Sequence, residues 1–316
     1  MIGFGGGTVN RRTKVAAQQT PACWADSATG YWFRPVFAPI SPISKESSRW
    51  EPALMTAEPS PPAILSLRLR RLLRASVVLI VLAAIGAASS GFGYRLGLWP
   101  VMAGFSILFA AAFLAAIAVI LGLVVFAIAV GARELRHAAA AVVAIVAGAA
   151  IAALPVSYFE AAKNAPRIHD ITTDTEDPPQ FMALAPLREA APNGIAYGGA
   201  EIAAAQKSGY PDIAPAQFPN PPNQVFAAAM AVLQDKGMEI AASNPPSPSQ
   251  PGLIEATATS FWFGFKDDVA IRIGPAPEGG TRLDIRSASR VGLSDIGANA
   301  RRIRAFLRSV HTKLGT

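Results

Sequence analysis

Arginine, serine, aspartate and asparagine crowd into one stretch near the C-terminus, Arg286–Phe306, RSASRVGLSDIGANARRIRAF. Its polar side chains are Arg286, Ser287, Ser289, Arg290, Asp295, Asn299 and Arg302. A guanidinium reads carboxylates and phosphates through paired N–H bonds. A strand end meeting a helix N-terminus also offers unpaired backbone N–H groups to an anion. The serines invite a hydrolase reading, but no nucleophile elbow is present and no histidine is placed to act as base. The sequence therefore favours a structural knot, in which Arg290 pairs with Asp295 across the turn RVGLSD and the hydroxyls tie strand to helix. A binding surface ranks second and a reaction centre last.

A second stretch, Ser260–Ile273, reads SFWFGFKDDVAIRI. Alternation predicts Trp262 on one face and Phe261 with Phe263 on the other. One set belongs to a core; the other leans on a membrane or meets a partner, which makes Trp262 and Phe263 the candidate aromatic surface. Asp267 and Asp268 are neighbours, so on a strand they point to opposite faces and make a poor acid–base pair. They are expected to follow a Trp262–Phe265 strand and to pair with nearby Arg or Lys. Asp170, Asp174, Glu176 and Asp177 lack the order of a calcium loop. The histidines, His137, His169 and His311, do not cluster in a zinc-binding spacing, and no phosphate-cradling glycine loop occurs. No metal, no cofactor and no enzymatic activity are expected on these grounds.

The elements that carry these residues follow from periodicity. Asn223 is placed to cap a helix running to about Lys236, with Val225, Phe226, Ala229, Met230 and Leu233 as its apolar face. MEIAA, LIEATATSFWF, DDVAIRI and TRLDIRSASR read as strands. Val269, Ile271 and Ile273 share one face with Leu283, Ile285 and Ser287, and Arg272, Arg282, Asp284 and Arg286 lie opposite. That pattern predicts an antiparallel sheet with one side solvated. Ser294 is placed to cap a final helix whose stripe is Ile296, Ala300, Ile303, Leu307 and Val310, backed by Arg301, Arg302, Arg304 and Arg308. The fold class is α+β, with helices covering the sheet.

The runs IHDITTDTEDPPQF, FGFKDDVAIRI and GTRLDIRSASRVGLSDIGANARRIRAFL resemble the DUF1499 family over about residues 165–311. These are uncharacterised bacterial and plastid proteins, often joined to membrane spans. The resemblance implies a shared domain and no established activity. The spacer Glu189–Ser208 departs from the pattern.

Hydrophobic residues make up 52% of the 316-residue chain and charged residues 16%, well below the roughly 25% charged of ordinary soluble domains. Three apolar runs, near 72–90, 101–130 and 138–156, have the length of membrane spans. Residues 1–156 hold 13 Lys/Arg against 5 Asp/Glu, while 157–316 hold 15 against 16. The positive excess thus lies around the spans rather than in a basic folded domain, which argues against nucleic acid. Arg68, Arg70, Arg71 and Arg74 precede the first span, Arg95 alone follows it, and Arg133 and Arg136 follow the second. The positive-inside bias then predicts a cytoplasmic N-terminus and a periplasmic C-terminal domain. Ala140, Ala144, Gly148 and Ala152 form a helix-packing stripe. Residues 1–63 have the composition of a disordered segment. Met55 resembles a natural start, so residues 1–54 are expected to be non-native. Cys23 leaves no disulfide to form. Residues 157–222 read as an irregular linker or wrapping segment, followed by an α+β core over 223–316.

These features together predict a multi-pass inner-membrane protein displaying a non-catalytic periplasmic domain for binding or envelope organisation. The alternatives are a pocket for a lipid or other apolar ligand between sheet and helix, or an enzyme using the Arg/Asp/Ser cluster. The expected partners are the bilayer and an envelope protein or lipid; oligomeric state is not encoded in any recognisable signal.

Overall fold

The computed structural model describes residues 61–316. The expectations for the N-terminal segment, including Met55 and Cys23, lie outside the described residues.

Three long helices come first: α1 (Pro61–Arg95), α2 (Val101–Gly131) and α3 (Leu135–Asn164). Each contains a strongly apolar window long enough to cross a membrane. At 1.5 Å per residue, the 35 residues of α1 reach about 52 Å, well past a hydrocarbon core of about 30 Å. Its first turns carry Arg68, Arg70, Arg71 and Arg74, so the basic stretch continues the helix and does not end it. The helices pack through small side chains. Ala138, Ala141, Ala144 and Gly148 are the buried positions of α3; Ala140 and Ala152 are only half-buried, so the stripe runs slightly off the one predicted. Large apolar side chains such as Val78, Ile85, Phe109, Phe113 and Val143 face outward, as lipid-facing positions should.

The rest of the chain is an α+β unit: β1 (Asp170–Thr172), α4 (Ala185–Glu189), α5 (Gly199–Gly209), β2 (Ala216–Phe218), α6 (Pro222–Asp235), β3 (Glu239–Asn244), β4 (Gly252–Thr259), β5 (Lys266–Pro275), β6 (Thr281–Ser289) and α7 (Ala298–Leu314). The sheet order is β1-β6-β5-β4-β3, antiparallel throughout, and β2 lies end to end with β1 along the free edge of β6. The stretch read as an irregular linker thus supplies two strands and two helices of the domain.

Val269, Ile271, Ile273, Leu283 and Ile285 form one sheet face, and α6 and α7 close over it with Val225, Ala229, Leu233, Ala300, Ile303 and Phe306. The other face is not solvated, contrary to the alternation reading. Residues 174–197 lie across it, and Phe181 and Leu184 seat against Ala270 and Ala288. Alternation marks which side chains share a face; it cannot tell water from a covering loop.

Cap positions differ too. The helix expected to start at Asn223 begins at Pro222, whose missing N–H costs nothing in a first turn. The last helix begins at Ala298, leaving Ile296 outside it at φ 51°. Its orphan N–H groups are met by Asp295: Oδ1 accepts from Gly297 N at 2.8 Å and Oδ2 from Asn299 N at 2.7 Å. Ser294 Oγ accepts instead from Ile296 N. β4 ends at Thr259, and Ser260–Gly264 form a turn in place of the strand expected at Trp262–Phe265.

Candidate functional site

The polar cluster read from Arg286–Arg302 divides between the two faces of the sheet. Odd positions of β6 face α7. There Ser287 Oγ donates to Asn299 Oδ1 at 2.7 Å, Asn299 Nδ2 donates to Ser289 Oγ at 3.0 Å, and Arg302 Nη1 donates to Ser287 Oγ at 2.9 Å. Arg302 also hydrogen-bonds Asn299 and pairs with Asp267. Asn299 is fully buried, and its second acceptor, the His169 carbonyl, fastens α7 to the start of β1. Both serine hydroxyls on this side are hydrogen-bonded.

Even positions face the covering segment, where a second network lies almost wholly out of water. Arg286 holds Asp170 bidentately, Nε to Oδ1 at 3.0 Å and Nη2 to Oδ2 at 2.7 Å. Its remaining N–H groups reach the carbonyls of Pro179 and Ile195. Asp268 sits one rung away, because the register sets it opposite Thr257 and Ala288. It takes Arg290 Nε at 2.9 Å and Nη2 at 2.8 Å, Arg188 Nη1 at 3.1 Å and Thr257 Oγ1 at 2.8 Å. The guanidiniums of Arg188 and Arg286 both lie over the Phe181 ring, 4.6 and 4.7 Å from its centroid. Glu255 closes the site by accepting the backbone N–H groups of Met182, Ala183 and Leu184.

The expected Arg290–Asp295 pair does not form. The β4–β5–β6 register brings Asp268 to Arg290, while the left-handed backbone at Ile296 and Gly297 turns Asp295 toward helix N–H groups. Burial raises the Asp295 pKa, and the two N–H bonds oppose the rise. Sharing one carboxylate splits the arginines: hydrogen bonding to Asp268 raises the Arg290 pKa, whereas burial lowers that of Arg188 against the same carboxylate. Asp267 and Asp268 do pair with arginines on opposite faces. Asp174 and Asp177 of the acidic run are engaged by Arg272 and Arg282. Among the described residues no three His, Cys, Asp or Glu side chains converge as metal ligands.

Arg188 and Asp170 are members of this network that sequence reading missed. Arg188 stands just before the spacer Glu189–Ser208, and only tertiary contact brings it to β5; in the sequence Asp170 reads only as part of an acidic run.

The aromatic turn is the other site. Phe263 is buried and Trp262 half-buried, both against the membrane helices. Trp262 Nε1 donates to the Ala88 carbonyl at 3.3 Å, and its ring lies so close to α1 that a Cβ on Gly91 would stand 2.4 Å from it. Phe263 approaches α2 at Gly104 and stacks on Phe265, with ring centroids 5.2 Å apart. Arg95 Nη1 donates to the Phe261 carbonyl at 2.6 Å, while the Phe261 ring itself is 79% exposed. The turn therefore plugs the domain into the end of the helix bundle where α1 stops.

A domain of this outline, with its first strand at Asp170 and its last helix ending near residue 314, covers the same stretch as one family match. Residues 170–310 match the family model DUF1499, a protein of unknown function. No curated protein and no solved structure matches the chain. The side chains of both buried networks fall inside the matched stretch, whereas among the described residues the aromatic turn's partners outside it belong to α1, α2 and α3.

Proposed function

We propose that this is a three-span inner-membrane protein that displays its DUF1499 domain on the periplasmic side as a non-catalytic binding module for envelope organisation. The carrying observation is the docking of Phe261–Phe265 into the outer end of α1, α2 and α3. This fixes the domain against the membrane surface in one orientation, as a presented binding face requires. The charge clusters support the same reading. Asp170 and Asp268 are both held by buried or half-buried arginines, Asp170 by Arg286 and Asp268 by Arg188 and Arg290, which suits a scaffold better than a general acid or base poised for substrate. The single Arg95 on the docking side against Arg68–Arg74, Arg133 and Arg136 on the other supports a periplasmic domain.

Reporter fusions after Arg136 and after Asn164 test the topology. The expected result is cytoplasmic-type activity at the first and periplasmic-type at the second; the reverse pattern overturns it. Crosslinking of the tagged full chain in native membranes tests the binding role, which fails if no envelope component is retained.

A further inference from the structure

A cavity of about 280 Å³ opens at the seam between the last turns of α1 and the DUF1499 domain. Its wall includes Tyr94 of α1, Leu187 and Ala190 of the covering segment, Phe265 and Lys266 at the start of β5, and Arg290 just past β6. Two cations thus face a site whose other walls are aromatic or aliphatic. Arg290 binds Asp268 and Thr257 through Nε and Nη2, and among the described residues its Nη1 has no hydrogen-bond partner. Lys266 is 43% exposed and meets Glu239 only at 3.7 Å. A third cation, Arg95, lies against Gly264 at the same rim. Asp268 stands behind Arg290 as the carboxylate that holds it in place.

The depth of the cavity matters as much as its charge. Tyr94 and Trp99 stand where α1 and α2 meet the loop between them, and Tyr and Trp concentrate at the polar boundary of a bilayer. Leu187 on the cavity wall is itself exposed, as are Leu96 and Leu98 in the loop that follows Tyr94. Cations at headgroup level next to exposed leucines match one class of ligand. We propose that the cavity binds an anionic phospholipid, its phosphate between Lys266 and Arg290. The site rests on membrane insertion of α1–α3 as read above, but not on which side the domain faces.

The test uses the full chain purified in a neutral detergent, with its melting midpoint followed as phosphatidylglycerol, phosphatidylcholine or inorganic phosphate is added. At about ten times its dissociation constant, phosphatidylglycerol should raise the midpoint by about 3–6 °C. Phosphatidylcholine and inorganic phosphate should not. Lys266→Gln should lose the shift and Lys266→Arg keep it. Ala190→Glu, which sets a carboxylate at an exposed position of the rim, should lose it too. Equal shifts with both lipids overturn the proposal, as does a phosphatidylglycerol shift undiminished in both Lys266→Gln and Ala190→Glu. A shift reproduced by inorganic phosphate makes this a free-anion site and overturns the lipid assignment. Should Lys266→Gln lower the lipid-free midpoint, Ala190→Glu decides. Reversed topology in the reporter fusions leaves these outcomes unchanged, so the two readings fail separately.

Discussion

Replacing Asp268 by alanine removes the carboxylate on which two arginines of the second sheet face converge. Arg188 is 1% exposed and Asp268 fully buried. Without Asp268, Arg188 keeps the Ala288 carbonyl at 3.0 Å and the Phe181 ring, but no counter-charge in direct contact. Breaking a buried pair from one side costs about 3–5 kcal/mol. Arg290 is 15% exposed, and its removal leaves Asp268 with Arg188 and Thr257. That loss is nearer the 1–3 kcal/mol of one unsatisfied partner. Asp268→Ala should therefore lower the domain's melting point by about 6–20 °C and Arg290→Ala by about 2–12 °C, at roughly 2–4 °C per kcal/mol. The double variant should lose less than the sum. Thermal proteolysis of the full chain in detergent reads the domain's opening while the apolar helices stay protected. If Arg290→Ala proves as damaging as Asp268→Ala, or the two losses simply add, Asp268 is not the shared hub and the network has been wrongly drawn.

Asp295→Ala should cost about 0.5–2 kcal/mol as a lost helix cap. Combined with Arg290→Ala its effect should add within about 0.3–0.5 kcal/mol, since the two residues share no partner; strong coupling would restore the direct pair that the sequence suggested. Burial pushes the Tyr197 phenol up to about 12 from 10.0. The neutral form is the one the fold favours, so this contribution is complete below pH 10 and is lost as pH rises through about 12. Tyrosinate absorbance should show a phase near pH 12 that disappears in Tyr197→Phe. Trp262→Ala should free the DUF1499 domain from the helices without unfolding it, seen as new protease cleavage near Ala165 with an unchanged domain midpoint; loss of the fold would show the turn to be part of the core. Residues 166–316, which contain the whole main core, should fold when expressed alone, provided Phe261 and Trp262 are made polar to prevent association; absence of a cooperative melt would show that the helices are required.

Three long apolar helices, the strand periodicities of β5 and β6, the buried α7 positions Ala300, Ile303 and Val310 and the DUF1499 resemblance were all determined by the sequence itself, whereas Phe306 rather than Leu307 completes the buried face of α7. Each depends on hydropathy or on spacing between near neighbours, and lipid or a core needs a matching periodic face. The partners of the charged residues needed the tertiary structure. Arg290 met Asp268, 22 positions away, because strand register overrides the proximity of Asp295. Arg286 met Asp170 across 116 positions because β1 returns to the edge of β6. The second face of the sheet reads as solvated from alternation alone, since arginine and aspartate are polar whether water or one another satisfies them. The aromatic turn reads as strand because its residues have strand propensity; Ser260 and Gly264 break it, and the groove at Gly91 and Gly104 that receives Trp262 and Phe263 lies on helices far earlier in the chain. Local patterns fix which side chains share a face, whereas what meets that face depends on how distant segments pack.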